Sequence, residues 1–231
     1  MEKEVCTAVV LAGGSGKRMG TKVHKQYLLM GGKPVLYYSL KAFQDSGMID
    51  EIVLVTGKGE EEYCRNEIVD KYNLTKVKKI VPGGNERYES VWNGIERLPD
   101  YGYIYIHDGA RPFVDDEIIS RAYKCVTEEK ACAAGMPAKD TIKVVDENGT
   151  VTDTPDRSRL WTVQTPQVFD AGLIRRAYSM LMKKEKISVT DDAMVVEQML
   201  EHPVKMFFGS YANIKITTPE DLKIAEVFLK K

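Results

Sequence analysis

The sequence predicts an α/β fold, doubly wound around a mostly parallel sheet, and three observations carry that prediction. Short apolar runs rich in β-branched residues alternate with segments of helical period; each run ends at glycine or a polar turn; and the chain, 231 residues and 43% apolar, is long enough to bury one sizeable core. Strands joined through helices are parallel, and ligands of such sheets gather beyond the carboxyl ends of the strands. One domain over residues 1–231 is therefore expected, without internal repeat, low-complexity tract or linker.

Thr7–Leu11 opens the expected sheet, and Glu51–Thr56, Val77–Val81, Tyr103–His107 and Ala131–Pro137 continue it, with a later pair near Val204–Phe208 and Asn213–Ile216. Helices lie between: Tyr88, Val91, Trp92, Ile95 and Leu98 recur at three and four, as do Ile118, Ile119, Ala122, Tyr123 and Val126. One stretch breaks the rhythm. Thr141–Val145 and Thr150–Thr154 read as two short strands around an Asn148-Gly149 turn, a dipeptide that supplies the positive φ angles of a tight hairpin. Such an arm, about residues 139–160, has little of its own to bury, so packing against a second copy of the chain is expected. Thr218 followed by Pro219 reads as an N-cap with proline at the first helical position, opening a last helix over Leu222–Leu229.

Bulk charge excludes several partners. Acidic and basic side chains number 34 and 33, for a net charge of −1, so nothing global draws the chain to nucleic acid or to an anionic membrane. No window reaches the roughly 18 to 20 continuous apolar residues of a membrane helix, and the apolar run Val5–Ala12 stops at glycines as a buried strand does, without the pattern of a signal peptide. Cys6, Cys64, Cys125 and Cys132 form no zinc-like spacing, which points to free thiols in the cytoplasm. His24, His107 and His202 show no metal-ligand spacing either.

Affinity for anions must then be local, and the loop after the first strand supplies it. Gly13, Gly14 and Gly16 let backbone N–H groups approach an anion without a Cβ in the way. Lys17, Arg18, Lys22 and Lys25 add four cations between Ser15 and Lys25, with no acid among them. A P-loop requires Ser or Thr after its Gly-Lys pair, and Arg18 stands there instead. A dinucleotide fingerprint counted from Gly14 needs glycine or alanine at the place of Met19, and no clear ribose-binding acid follows a second strand, which argues against an NAD-type oxidoreductase. A glycine-rich turn with solvated charges remains the bland alternative from this loop alone.

Motifs along nearly the whole chain narrow the reading. Leu11-Ala-Gly-Gly-Ser-Gly-Lys-Arg-Met19 with Lys25-Gln-Tyr-Leu28 is similar to the opening of sugar-phosphate nucleotidyltransferases. Gly83-Gly-Asn-Glu-Arg-Tyr-Glu-Ser-Val91, His107-Asp-Gly-Ala-Arg-Pro112, Lys139-Asp-Thr-Ile-Lys143, Trp161-Thr-Val-Gln-Thr-Pro-Gln-Val-Phe169, Thr190-Asp-Asp-Ala193 and Asn213-Ile-Lys-Ile-Thr-Thr-Pro-Glu-Asp-Leu222 follow in order. Together they resemble the 2-C-methyl-D-erythritol 4-phosphate cytidylyltransferases. The resemblance implies a Rossmann-like nucleotidyltransferase fold that dimerises through the hairpin arm. It also implies transfer of CMP from CTP to methylerythritol phosphate, with release of pyrophosphate and a requirement for a divalent metal, usually Mg2+. The near neighbours are ribitol-5-phosphate cytidylyltransferases, which tend to carry Ser-Val where this chain has Gly109 and Ala110, and to lack the second acid of Asp191-Asp192. Two positions depart from the family pattern: His24 stands where proline is usual, and Gly13 where alanine is common.

Roles follow from the resemblance residue by residue. Arg18, Lys25 and Lys215 are the expected catalytic cations, since an in-line attack by an already ionised phosphate needs positioning and charge neutralisation more than a base. Ala12, Gly13, Gly14, Ser15 and Gly16 would cradle the triphosphate, and Gly84, Asn85, Arg87 and Ser90 would meet cytosine and ribose. Asp108 is the expected magnesium ligand, with capping of the following turn as its alternative; Arg157, Thr190 and Lys215 would surround the acceptor phosphate next to Asp108. Arg157 would reach the site of the partner copy. Lys215, placed within the last strand, has a solvated edge position as its alternative; Arg111 carries no assigned role; and Asp191 is a helix-start residue or an orienting acid. A noncatalytic nucleotide-binding module is the remaining rival, and the joint presence of Arg18, Lys25, Asp108 and Lys215 speaks against it.

Overall fold

The structure, a computed structural model, describes residues 3–14 and 24–230, so Ser15, Gly16 and Arg18 lie outside the described residues. The chain opens with β1 (Cys6–Ala12), passes a 3₁₀ turn at Lys25–Tyr27, and forms a small ribbon of β2 (Leu29–Met30) and β3 (Lys33–Pro34) ahead of α1 (Val35–Asp45). There follow β4 (Glu51–Thr56), α2 (Glu61–Tyr63) running into a π-helical stretch over Cys64–Asp70, β5 (Val77–Pro82), α3 (Arg87–Ile95), β6 (Tyr103–Asp108), α4 (Asp116–Glu129) and β7 (Ala131–Pro137). The hairpin β8 (Val144–Val145) and β9 (Val151–Asp153) leads into β10 (Trp161–Asp170), and α5 (Ala171–Leu181), α6 (Asp192–Leu200), β11 (Lys205–Phe208) and α7 (Pro219–Phe228) complete the chain.

Seven of these strands form one sheet in the order β11-β7-β10-β6-β1-β4-β5. Every neighbouring pair is parallel except those made by β10, which runs antiparallel to both β6 and β7. Alternation along the strands fills two cores. Ala8, Val10, Ile52, Leu54 and Tyr105 face α1 and α4, meeting Leu36, Leu40, Phe43, Ile118 and Ala122. Their neighbours Val9, Val53, Val55, Ile104 and Ile106 face the other way, onto Val91 and Ile95 of α3 and onto the buried faces of α5 and α6. Helices thus cover both faces of a mostly parallel sheet, as predicted, and burial of each large side chain contributes roughly 1.5–3 kcal/mol.

From β1 the sheet grows outward through β4 and β5, and then β6 returns to the other side of β1. The chain therefore switches direction at β1, and the carboxyl ends of β1, at Ala12, and β6, at Asp108, flank the crevice where such folds bind ligands.

Two expectations are corrected, and one strand is added to the expected sheet. Trp161–Asp170, which shows no alternation because residues 164–169 are all buried, is a ten-residue central strand; its proline is accommodated where the register against β7 slips between Val163 and Gln167. Asn213–Ile216 is not a strand, and Lys215 with it: there the chain, past the edge strand β11, is tied to the central strand β10 by Asn213 Nδ2 to Thr165 O (2.9 Å) and to the loop after β6 by Ile216 N to Ala110 O (2.8 Å). The Asn148-Gly149 pair does not form a two-residue turn, because only Gly149 takes a positive φ, at +81°. Asp146 instead caps a longer loop, its carboxylate accepting from the amides of Asn148 and Thr150. The predicted last helix is present, closed at its start by a capping box of Thr218 and Asp221. Among the described residues no helix is long and apolar enough to cross a membrane.

Candidate active site

A cleft of about 340 Å³ opens at the switch point. Leu11–Gly14 from the end of β1 form one wall, Gly84–Arg87 and Ser90 from the start of α3 another, and Asp108 with Ala110 the floor. Lys25 and Lys215 enter from opposite ends of the sequence. Of the residues expected to act, Ala12, Gly13, Gly14, Lys25, Gly84, Asn85, Arg87, Ser90, Asp108 and Lys215 therefore converge on one site.

Thr190 and Arg157 lie elsewhere in this chain. Thr190 lines a second cavity, of about 380 Å³, that shares Glu86 and Arg87 with the main cleft, so the two spaces stand on either side of Arg87. Arg157 is exposed beside the hairpin, with Nη1 donating to Lys139 O at 2.7 Å. Asp191 caps α6, accepting from Met194 N at 3.0 Å, which is the helix-start role of its two alternatives. Arg111 holds loops together, with Nη1 donating to Asn213 O at 2.8 Å.

Charge on the floor is dense. Lys215 Nζ lies 2.7 Å from Asp108 Oδ2, and Arg87 Nε lies 3.5 Å from Asp108 Oδ1. Burial alone pushes the Asp108 carboxyl up, but Arg87 and Lys215 outweigh it and hold the group well below the usual carboxylate range. Asp108 therefore stays ionised at any working pH, and Lys215 is an inward lysine paired with a carboxylate, not a solvated edge residue.

Behind Asp108 runs a chain of neutral hydrogen bonds. The Asp108 amide donates to Thr165 Oγ1 (3.1 Å), Thr165 Oγ1 lies 3.0 Å from His107 Nδ1, and His107 Nε2 lies 3.1 Å from Arg111 O. A neutral imidazole protonated on Nε2 satisfies every partner, and burial lowers the His107 pKa to about 4. Since that value is depressed below the roughly 6.5 of an unfolded chain, its contribution to stability is complete above pH 6.5 and is lost as pH falls toward 4, by roughly 3 kcal/mol. Denaturation measured at several pH values between 6.5 and 4 should show this slope, and His107→Gln should flatten it.

Sequence reading missed how the α3 wall is built. Ser90 Oγ accepts from Gly84 N at 3.0 Å and lies 3.1 Å from Glu86 O, while Glu89 Oε2 accepts from Asn85 N at 2.6 Å. The hydroxyl expected to read the base is thus engaged in shaping the turn. Gln26, 1% exposed, donates to Ala12 O and braces the end of β1. Asp192, also fully buried, accepts from Arg87 and Tyr178. Motif position flagged Gln26 and Asp192, but only the fold shows what they touch.

The family model for IspD, 2-C-methyl-D-erythritol 4-phosphate cytidylyltransferase, matches residues 6–231. The chain belongs to the IspD family. A relative of that name from Lachnospira eligens is 52% identical, over 97% of this chain and 99% of its own, and one from Clostridium beijerinckii is 50% identical, over 97% and 98%. Among solved structures, 4-diphosphocytidyl-2C-methyl-D-erythritol synthase from Anaerococcus prevotii superposes with a TM-score of 0.86 at 32% identity, covering all of both chains. The Thermus thermophilus cytidylyltransferase superposes at 0.77 with 28% identity, covering 96% of this chain and 98% of its own.

As an IspD chain, this one accommodates its two departures. His24 takes φ −63° and ψ 139°, the φ that a proline ring would impose, and its Nδ1 lies 2.6 Å from Glu60 Oε1. At Gly13 an added Cβ would sit 3.0 Å from Thr56 O, a contact that glycine avoids.

Proposed function

We propose that this chain transfers CMP from CTP to 2-C-methyl-D-erythritol 4-phosphate, giving 4-diphosphocytidyl-2-C-methyl-D-erythritol and pyrophosphate. The reading rests on one observation above others: Lys25, Lys215 and Asp108, far apart in sequence, meet beside the glycine strip at the switch point. A phosphomonoester oxygen of the acceptor attacks the α-phosphorus of CTP in line, and pyrophosphate leaves with the bond it breaks. The nucleophile is already ionised, so the work of the protein is to hold two polyanions together and offset the charge building on the α-phosphate. Lys25 and Lys215 supply that charge, with Arg18 assigned the same task from the sequence.

The donor set fits a divalent ion. Among the described residues no group of three or more His, Cys, Asp or Glu side chains gathers as a protein-only metal site, whereas Asp108 offers one hard carboxylate beside the triphosphate cradle. Mg2+ is commonly held in this way, by one or two carboxylates plus phosphate oxygens and water. Bound there, the ion would neutralise and orient the triphosphate. Lys215 and Arg87 hold Asp108 ionised for that role.

Methylerythritol phosphate over ribitol phosphate is supported by the family match and by relatives of that name, and at Gly109 an added Cβ would fall 2.9 Å from Leu11 O and 2.8 Å from Leu36 Cδ1. A serine at this place would force the floor of the cleft to shift. Pyrophosphate release measured with each nucleoside triphosphate against both acceptors tests the assignment. CTP with methylerythritol phosphate should give the only substantial rate, and activity confined to ribitol phosphate would overturn the substrate.

A homodimer fits the hairpin, whose Val144, Val145 and Val151 are about half exposed on strands paired only with each other among the described residues. Arg157, at its base, would complete the partner's acceptor site together with Thr190. Light scattering on Val145→Glu/Val151→Glu should give a monomer, with the KM for acceptor raised more than that for CTP. The four thiols, three of them buried, suit the cytoplasm.

A further inference from the structure

Asp108 faces more positive charge than one carboxylate balances. Lys215 Nζ already occupies Oδ2 at 2.7 Å, and Arg87 Nε stands 3.5 Å from Oδ1, beyond a good charge-assisted bond. Why Arg87 stops short is visible on its other side. Nη1 and Nη2 donate to the two oxygens of Asp192 at 2.8 and 2.7 Å, a bidentate fork. Asp192 is 0% exposed in the first turn of α6, and the Tyr178 hydroxyl of α5 donates to its Oδ1 at 2.6 Å. Burial and the charge of Asp192 push the Tyr178 phenol well above its usual range, so Tyr178 remains a donor.

A planar guanidinium engaged in a fork has its orientation set by that partner. Asp108 and Asp192 are the two carboxylates within 4.0 Å of Arg87 among the described residues. With Asp192 neutral, the cation would turn to the charge that remains, and closing from 3.5 Å to roughly 2.8 Å is a small movement. Arg87 would then cover Oδ1, the oxygen that Lys215 leaves open.

We propose that Asp192, steadied by Tyr178, is a positioning residue that draws Arg87 away from Asp108 and so keeps one Asp108 oxygen available to the divalent ion. The inference rests on the reading of Asp108 as the ligand of that ion. It also gives the α5–α6 layer, which contributes nothing else to the floor of the cleft, a direct hold on the site.

Mn2+ binding to the enzyme saturated with CTP and lacking acceptor, followed by electron paramagnetic resonance, tests this without turnover. Asp192→Asn should weaken Mn2+ binding by about tenfold, and the double variant Asp192→Asn/Arg87→Gln should recover most of the loss, because the competing cation is gone. Tyr178→Phe, which keeps the ring and loses one donor, should shift affinity the same way by about threefold; it carries the test should Asp192→Asn fail to fold, with Arg87→Gln again the rescue. Unchanged affinity in a folded Asp192→Asn or, in its place, Tyr178→Phe protein overturns the proposal, as does a double variant no better than the single. Asp108→Asn separates the two ideas: if it leaves Mn2+ affinity intact, the ligand assignment itself has failed.

Discussion

Lys215→Met should lower kcat by about 10²- to 10³-fold, equivalent to roughly 3–4 kcal/mol of transition-state stabilisation. Methionine keeps the length and apolar stem of lysine, so the segment around 213–216, pinned by Asn213 to Thr165 O and by Ile216 to Ala110 O, should stay in place. What disappears is one charge 2.7 Å from Asp108, where the two substrates are proposed to meet. If that charge counters, as proposed, negative charge that builds only as the new P–O bond forms, kcat should fall more than KM for CTP rises. Arginine should not restore the rate, since its planar fork reaches a different set of positions. Steady-state kinetics on a variant with an unchanged melting temperature decides the matter; turnover near that of the parent would remove Lys215 from the mechanism.

The second large effect concerns Asp108→Asn. The substitution is nearly isosteric and leaves the amide bond to Thr165 untouched, yet it strips the floor of the carboxylate that Arg87 and Lys215 face. Activity should drop by about 100-fold or more, since even groups that only orient a ligand typically cost 10- to 100-fold. The Mg2+ concentration required for half-maximal rate should rise, whereas CTP itself, now meeting an uncompensated pair of cations, should not bind more weakly. Rates titrated with Mg2+ at fixed CTP read this directly. A capping role for Asp108 predicts a lower melting temperature with an unchanged Mg2+ requirement, and that result would withdraw the metal assignment.

Strand by strand, the pattern of residues located the frame. β4 runs over Glu51–Thr56 and β7 over Ala131–Pro137, as apolar runs bounded by polar turns predict, because a parallel strand covered on both faces is apolar throughout. β10 escaped for the complementary reason: Gln164, Thr165, Pro166 and Gln167 carry the signature of a loop, and only their neighbours on β6 and β7 make them the middle of a sheet. The family resemblance marks Lys215 as a catalytic cation, yet the strand expected around it does not form, since nothing local tells an extended strand from an extended crossing segment.

By itself the sequence located a glycine strip, a cluster of cations and Asp108 at the end of a strand, and the resemblance of its motifs to one family supplied the chemistry expected of them. Tertiary structure alone decided who meets whom. That Asp192 holds Arg87, that Thr190 stands on the far side of Arg87 from the main cleft, and that His107 and Thr165 brace Asp108 are contacts between residues distant in the chain. Buried charges and hydroxyls must find partners wherever the fold brings them, and local sequence carries no record of that search.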